Sequence, residues 1–132
     1  MRVVFDTNVF VSALVVPGSL SEEACRRALA REFRLVTSVA ILTELAGRLR
    51  SKFGWDNAPT ARAVKAIARV AEVVKTTPHL EIARDPPDNR ILECAGEGAA
   101  DLIVTGDRHL LKLRRFGRTG IVRVSTFLHT LG

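Results

Sequence analysis

The most restrictive feature of this sequence is a regular alternation of short apolar runs with longer segments of helical periodicity. The apolar runs have the length of buried strands and lie at Arg2–Phe5, 33–37, 102–105 and 121–124. Strands separated by helices need crossover connections, which are right-handed and leave the strands parallel. The pattern predicts an α/β fold of three layers, in which helices cover both faces of a mainly parallel sheet of four to five strands.

Three serines mark predicted helix starts. Ser19 stands three residues before a glutamate, which is the spacing of a capping box. Ser38 precedes a segment with one apolar stripe, and Ser125 precedes the last apolar segment. We therefore expect a helix to begin after each of these serines.

The middle of the chain predicts two further helices and a loop. Apolar residues recur at helical spacing over about 60–73, with basic residues between them. Three prolines lie within 77–88 and indicate a loop, which a helix over about 89–96 follows. Glycines at the end of that helix lie before a strand and not after one, so they indicate a helix stop and not a phosphate-binding loop.

Length and charge narrow the class of protein. A chain of 132 residues is expected to form a single domain over 1–132. Its 20 Lys and Arg against 14 Asp and Glu give a net charge of +6, and arginine supplies most of the positive charge. An arginine-rich surface suits a polyanionic partner such as nucleic acid. Codon bias or a heat-adapted source would explain the same composition.

The number of cysteines and the length of the apolar runs indicate the cellular location of the protein. The two cysteines, Cys25 and Cys94, cannot form a disulfide framework or a cysteine-based zinc site. The first residues lack the long apolar stretch of a signal peptide, and no run approaches the roughly 18 apolar residues of a membrane span. We expect a cytoplasmic protein with no membrane partner.

Four acidic residues follow predicted strands directly or lie early in the helices that come next: Asp6, Glu44, Asp88 and Asp107. Because ligands of parallel sheets bind beyond the carboxyl ends of the strands, these side chains are expected to meet at one edge. Four adjacent carboxylates repel one another unless a cation neutralises them, and oxygen ligands favour Mg²⁺ or Mn²⁺. Such an ion activates water for attack on a phosphodiester. The site is therefore predicted to be both metal-binding and catalytic.

Each acid taken singly has a simpler interpretation. Asp88 and Asp107 stand where N-capping residues are common. Glu44 lies off the apolar stripe of its helix, where a glutamate is usually just solvated. Only the joint arrangement of the four acids favours a metal site.

Four strings, in order over almost the whole chain, resemble the motifs of PIN domains. They are VVFDTNV at 3–9, SVAILTEL at 38–45, DPPDNRILECA at 85–95 and ADLIVTGD at 100–107. The chain is similar in particular to the toxin subunits of VapC-like toxin-antitoxin pairs. One departure is Pro87, which stands where PIN domains often carry an acid.

The resemblance implies a PIN-like fold with Asp6, Glu44, Asp88 and Asp107 as its acidic site. It implies hydrolysis of RNA by metal-activated water. It also places Asn8 and Thr105 beside the carboxylates as supporting residues that orient them by hydrogen bonding. Asp85 and Asp101 each lie close in sequence to one of these acids, and either is a candidate for a second metal position or the outer shell, outside the main set of ligands.

The function implied is that of a metal-dependent endoribonuclease, the toxin component of a type II toxin-antitoxin pair. Its partners would be the RNA substrate, a cognate antitoxin protein and a second copy of the chain in a homodimer or higher homo-oligomer. Two alternatives stay open. One is a PIN-fold RNA-binding or interaction subunit with little catalysis, and the other is an RNA-processing nuclease without an antitoxin.

Two groups of basic residues are candidates for contacts with partners. The first follows Asp107 and is expected either to position RNA phosphates or to form a solvated helix face: Arg108, Lys112, Arg114 and Arg115. The second would face an acidic antitoxin or a second subunit: Arg26, Arg27, Arg31 and Arg34. Trp55 is expected in such an interface or over the edge of the core.

Overall fold

The computed structural model describes all residues, 1–132, and contains six strands and seven helices. The strands are β1 (Arg2–Phe5), β2 (Arg34–Ser38), β3 (Glu72–Val74), β4 (Leu102–Val104), β5 (Arg115–Phe116) and β6 (Thr119–Val122). The helices are α1 (Thr7–Val15), α2 (Leu20–Leu29), α3 (Val39–Phe53), α4 (Asn57–Val70), α5 (Pro86–Glu97), α6 (Arg108–Leu113) and α7 (Val124–Leu131).

The strands form one sheet in the order β3-β2-β1-β4-β6-β5. All neighbours are parallel except β5 and β6, which form a short antiparallel hairpin at one edge. The expected α/β fold with a mainly parallel sheet is confirmed, although the sheet has six strands and not four to five. The extra strands are the two edges, β3 and β5, which are three and two residues long.

Helices pack around the sheet as the alternation predicts. Helix α5 contacts β1, β2 and β4 directly, and α1, α2, α3, α4 and α7 contact one another in a second group, of which α1 contacts β1 and α3 contacts β2. Gly98, directly after α5, lies so close to β2 that an added Cβ would come within 2.5 Å of the Val36 side chain. None of the helices combines the length and apolar character that crossing a membrane requires.

A cluster of phenylalanines fills the core between β1 and the second group of helices. Phe5 of β1 lies 5.6 Å from the ring of Phe10 and 6.0 Å from that of Phe127. Phe33 meets Phe127 edge to face at 5.0 Å. Such aromatic pairs add about 0.5 to 1.5 kcal/mol each beyond their buried area, so they hold β1 firmly beneath α1 and α7.

Helix starts agree with two of the three serine predictions. Ser19 Oγ accepts a hydrogen bond from the Glu22 amide, and Ser38 Oγ accepts one from the Ile41 amide. The N-cap position of the last helix, however, is Arg123, which makes no side-chain capping hydrogen bond, and Ser125 lies within the first turn.

Two boundaries in the middle of the chain differ from expectation. Helix α4 ends at Val70, although apolar residues continue at helical spacing to about residue 73. The helix ends there because the chain enters β3, which pairs with β2. Helix α5 begins at Pro86, three residues earlier than expected, because proline is tolerated in the first turn of a helix.

Candidate functional site

Asp6 and Asp107 are brought together by the parallel pairing of β1 with β4. The register sets Phe5 opposite Val104, so the residues that follow both strands lie side by side. Thr105 Oγ donates a hydrogen bond of 2.6 Å to Asp6 Oδ2 and accepts one of 3.0 Å from the Asp107 amide. The predicted supporting residue Thr105 therefore bridges the two acids.

Asp6 is buried, with 5% of its surface exposed. Burial raises the pKa of its carboxyl above the ordinary value, and the negative charge of Asp107 acts in the same direction. The hydrogen bonds from Thr105 and from the Asn8 amide, and the charge of Arg48, lower that pKa without cancelling the rise. Asp6 is thus a carboxylate that a nearby cation would stabilise.

Asp88 lies in the first turn of α5 and is 7% exposed. Its Oδ2 is buried without a hydrogen-bond partner. The pKa of Asp88 is raised to about 7, most of all by burial and further by the charges of Asp107, Asp6 and Asp85. A buried carboxyl oxygen without a partner, facing other carboxylates, is unfavourable unless it takes a proton or a cation.

Glu44 reaches the same edge from the second turn of α3. Its Oε1 forms an ion pair of 2.9 Å with Arg48 Nη2, one helical turn further on. Burial raises the pKa of Glu44, the Arg48 charge lowers it, and the Asp6 charge raises it again. Because Asp6 influences Glu44, the helix places this acid at the cluster and not simply in solvent.

Three residues at this edge or beside it were not predicted from the sequence. Arg48 joins two elements, since its guanidinium also donates a hydrogen bond to Asn8 Oδ1. Thr7 has a buried hydroxyl that faces Glu44 and lowers its pKa without completing a well-formed hydrogen bond. Arg123 follows β6 directly at this edge and is exposed. The sequence did offer a signal for Arg48, because Arg48 follows Glu44 by four residues, which is the spacing of an ion pair on one face of a helix.

The simpler interpretations of the acids hold in part. Asp107 does cap α6, because its Oδ1 accepts a hydrogen bond of 2.7 Å from the His109 amide. Asp88 is not a cap, since the N-cap of α5 is Asp85, whose side chain makes no capping hydrogen bond. Capping therefore explains one oxygen of Asp107 and does not explain the burial of Asp88.

The two additional acids lie in different places. Asp85 is exposed and close enough to Asp88 to raise its pKa. Asp101 precedes β4, and its Oδ2 accepts a hydrogen bond of 2.7 Å from the Arg2 amide at the start of β1. The length of a strand, about 13 Å at 3.3 Å per residue, separates Asp101 from the cluster. The expectation that Asp101 belongs to the site is therefore wrong.

Only part of the first basic group lies near the acids. Arg108 and Lys112 are exposed on α6, the helix that Asp107 caps. Arg115 pairs with Gly120, which in turn pairs with Leu102 at the amino end of β4. The hairpin thus directs the chain back toward the opposite edge, and Arg114 and Arg115 are not brought beside the carboxylates.

Most of the second basic group is engaged within the chain. Arg26 pairs with Glu22 and Glu23, Arg27 pairs with Glu32, and Arg34 lies 3.7 Å from Glu72. Trp55 is partly buried and packs against the core. These contacts favour a structural role for the three arginines and the core-edge interpretation of Trp55.

The arrangement suits a hard divalent cation without already forming its cage. The side chains at the edge offer carboxylate, hydroxyl and amide oxygens, which are the ligands that Mg²⁺ and Mn²⁺ prefer. The oxygen of Asp88 that lacks a partner and the mutual repulsion of the buried acids fit such an ion. No group of three or more acidic, histidine or cysteine side chains is arranged to hold a metal as it stands.

Comparison with known proteins gives a consistent result. A family model described as PIN domain matches residues 2–109. The uncharacterized protein MJ1680 of Methanocaldococcus jannaschii is 31% identical over 119 residues, covering 86% of this chain and 76% of that protein.

Two solved structures share the fold. PAE2754 from Pyrobaculum aerophilum has a TM-score of 0.63 at 19% identity, covering 98% of this chain and 88% of that one. VapBC2 from Rickettsia felis, bound to a DNA fragment from its promoter, has a TM-score of 0.64 at 17% identity and covers 93% and 98%. At these identities the likeness shows a common architecture, while the sequence matches carry the assignment. The chain belongs to the PIN-domain family.

Proposed function

We propose that this protein is a metal-dependent endoribonuclease that hydrolyses RNA phosphodiester bonds. The observation that carries the proposal is the convergence of Asp6, Asp88 and Asp107 at one sheet edge, where the charge of Asp107 helps to raise the pKa of Asp6 and the charges of Asp107 and Asp6 help to raise that of Asp88. A group of buried, repelling carboxylates destabilises a fold, and such groups are typical of functional sites. Membership of the PIN family supports a nuclease.

Asp6, Glu44, Asp88 and Asp107 are the residues that would hold Mg²⁺ or Mn²⁺, with Asp85 near enough to join an outer shell. When bound, such an ion polarises a phosphodiester and makes water acidic enough to act as a nucleophile. The chain itself supplies orientation. Thr105 occupies Asp6 Oδ2, which leaves Oδ1, with only a 3.4 Å bond from the Asn8 amide, available to a ligand.

The surroundings of the site suit a polyanion. Arg108 and Lys112 are exposed on α6 beside Asp107, and Arg123 is exposed at the end of the next strand. None of the three forms an ion pair within the chain, so each is free to neutralise phosphates. Contacts of this kind position RNA through its backbone, and they do not determine which base sequence is cleaved.

The alternative of an RNA-binding subunit with little catalysis has less support. All four acids are present, and they come from four separate segments of the chain that meet at one edge. A binding subunit has no need of buried carboxylates that repel RNA phosphates. The retained cluster therefore favours the enzyme.

The nuclease proposal is tested by incubating a mixed RNA pool with Mg²⁺ or Mn²⁺. We expect cleavage by the wild-type protein, and we expect EDTA or the Asp6→Asn substitution to abolish it. Cleavage that persists in Asp6→Asn would place the activity elsewhere. Tight RNA binding without cleavage in any sample would favour the binding subunit.

We further propose that a cognate antitoxin binds this protein, which would make it a toxin subunit. An open apolar groove of about 300 Å³ lies between α1, α2 and α4. It could receive the apolar face of a partner helix. The similar VapBC2 structure supports a partner of this kind. Members of the groove wall include Phe10, Leu14, Cys25, Leu29, Ala66 and Val70.

The groove is tested by co-expression with the product of the neighbouring reading frame. Ala66→Glu places a charge in the groove and is expected to prevent co-purification, whereas Ala61→Glu, exposed on the same helix outside the groove, is the matched control. Co-purification with Ala66→Glu would contradict the assignment of the groove. Lack of any co-purifying partner for the wild type would favour an RNA-processing nuclease.

We also propose a homodimer or a higher homo-oligomer. Exposed apolar side chains support self-association, among them Val39 at 53% and Phe53 at 45% exposure at the two ends of α3. Light scattering coupled to size-exclusion chromatography should give at least twice the monomer mass. A monomer at micromolar concentration would contradict this proposal.

A further inference from the structure

Arg48 is the one basic side chain that forms an ion pair with a member of the acidic cluster. One guanidinium nitrogen contacts Glu44 at 2.9 Å, and another donates to the side-chain oxygen of Asn8, which lies 40 residues away in sequence. The Arg48 side chain is 27% exposed and that of Glu44 is 22% exposed, so the pair lies at the rim of the site. A planar fork with several donors can contact both oxygens at once.

The two oxygens that Arg48 occupies belong to residues that the sequence predicts in or beside the metal site. Glu44 is a predicted ligand, and Asn8 is a predicted supporting residue. Arg48 also lowers the pKa of Asp6, so its positive charge acts on the cluster beyond its direct partners. A cation fixed at this position substitutes for part of the charge that a metal would bring.

The same contacts work against metal binding. Glu44 must leave Arg48, or share its oxygens, before it can bind an ion. A fixed positive charge several ångströms from a divalent cation lowers its affinity about tenfold, even with the screening of water. No three of the acids are arranged to hold a metal as they stand, and Glu44 is paired with Arg48.

We propose that Arg48 is a built-in competitor of the metal ion, which holds Glu44 and Asn8 when the ion is absent and weakens metal binding by its charge. Arg48 is thus a positioning residue, not a catalytic one. The inference rests on the proposed metal site. Arg48 sets the metal concentration at which the site is filled, whereas the four acids perform the chemistry.

The test measures Mn²⁺ affinity by calorimetry, without RNA. Arg48→Met removes the charge and keeps an unbranched side chain, whereas Arg48→Lys keeps the charge and loses the fork. Arg50→Met is the matched control, because Arg50 is exposed on the same helix and forms no ion pair. Circular dichroism and the thermal midpoint in EDTA establish that each variant is folded.

We expect Arg48→Met to bind Mn²⁺ about tenfold more tightly than the wild type, and Arg48→Lys and Arg50→Met to bind within about twofold of it. An unchanged or weaker affinity in folded Arg48→Met would overturn the inference and leave the metal site intact. A purely structural tether would make the Met and Lys variants alike, which would also overturn it. Absence of Mn²⁺ binding in every protein would instead refute the metal site, and the inference with it.

Discussion

The hydroxyl of Thr105 and the carboxylate of Asp6 are joined by a buried hydrogen bond of 2.6 Å that spans 99 residues of sequence. The bond ties the carboxyl ends of β1 and β4 together at the point where the acids meet. Because the same hydroxyl accepts the Asp107 amide, one side chain fixes the relative positions of two predicted metal ligands.

Replacing this hydroxyl should destabilise the protein. Thr105→Val keeps the shape of the side chain but leaves a buried carboxylate and a backbone amide without their partners. A hydrogen bond to a charged group contributes about 2 kcal/mol, so urea unfolding should show a loss of about that size. Thr105→Ser, which keeps the hydroxyl, is the control, and equal stability of the two variants would contradict the role of the bond.

Asp88 should make the metal-free protein less stable at high pH. Its pKa is raised from an ordinary 3.8 to about 7, so the folded state holds a proton that the unfolded state releases. The resulting stabilisation is fully present below the unfolded value and is lost as pH rises through about 7. In EDTA, the thermal midpoint of the wild type should therefore be lower at pH 8 than at pH 5.5.

The Asp88→Asn variant should reduce that dependence, although Asp6 and Glu44, whose pKa values are also raised, will keep part of it. The variant should also be the more stable protein at pH 8, since it removes a buried charge. Asp56→Asn, at an exposed site outside the cluster whose side chain makes no capping hydrogen bond, serves as control. A wild-type midpoint that rises between pH 5.5 and pH 8 would show that the burial of these carboxyl groups and their mutual repulsion are not the dominant effect.

Glu93 should hold the loop before α5 in place. Its fully buried carboxylate accepts hydrogen bonds from the His79 and Leu80 amides at 2.7 and 2.8 Å and pairs with Arg90 at 2.6 Å. Glu93→Gln should cost about 3 kcal/mol in urea unfolding at pH 7, because Arg90 loses its buried partner. Glu97→Gln, exposed on the same helix, should have little effect, and an equal cost in both variants would contradict the assignment.

The pH dependence of this contact has the opposite sign to that of Asp88. Burial alone raises the pKa of Glu93, but the two amides and Arg90 together outweigh it and leave the pKa below the ordinary value of 4.5. Stability from Glu93 is therefore present above that value and is lost as pH falls through the folded pKa. Glu93→Gln should show a smaller loss of stability on acidification below pH 4.5 than the wild type.

Two glycines near the end of α5 should respond in opposite ways to alanine. An added Cβ at Gly98 would come within 2.5 Å of Val36, so Gly98→Ala should destabilise the protein by about 1 to 3 kcal/mol. At Gly96 the nearest atom is 3.8 Å away, on Phe116, and alanine should stabilise the helix by up to about 1 kcal/mol. Thermal unfolding of both variants checks this, and a stable Gly98→Ala would contradict the close packing of α5 on β2.

The sequence predicts those parts of the molecule that depend on local patterns. The run Arg2–Phe5, the Ser38 cap and the positions of the acids after strands all follow from neighbouring residues. The edge strands could not be predicted from neighbouring residues, because β3 continues a helical spacing in the sequence and β5 has only two residues. Their formation depends on pairing partners that are distant in the chain.

The candidate site, too, was predictable only where it depends on local sequence patterns. Asp6 and Asp107 needed only the rule that parallel strands end at one edge. The bond from Arg48 to Asn8 and the removal of Asp101 to the opposite edge depend on strand register, which a single sequence does not contain. Glu93 offered a weak signal, since it is an acid within a buried apolar run of α5.

We propose that the acids at the carboxyl edge of the sheet perform the hydrolysis. The most direct test is the single-turnover cleavage rate of one RNA at saturating Mn²⁺, compared between the wild type, Asp88→Asn and Asp101→Asn. Asp101 lies at the opposite edge and serves as the matched acid. We expect Asp88→Asn to lose more than the roughly 10- to 100-fold that an outer-shell residue costs, while Asp101→Asn stays within a few-fold of wild type. Equal rates for the wild type and Asp88→Asn would contradict the account.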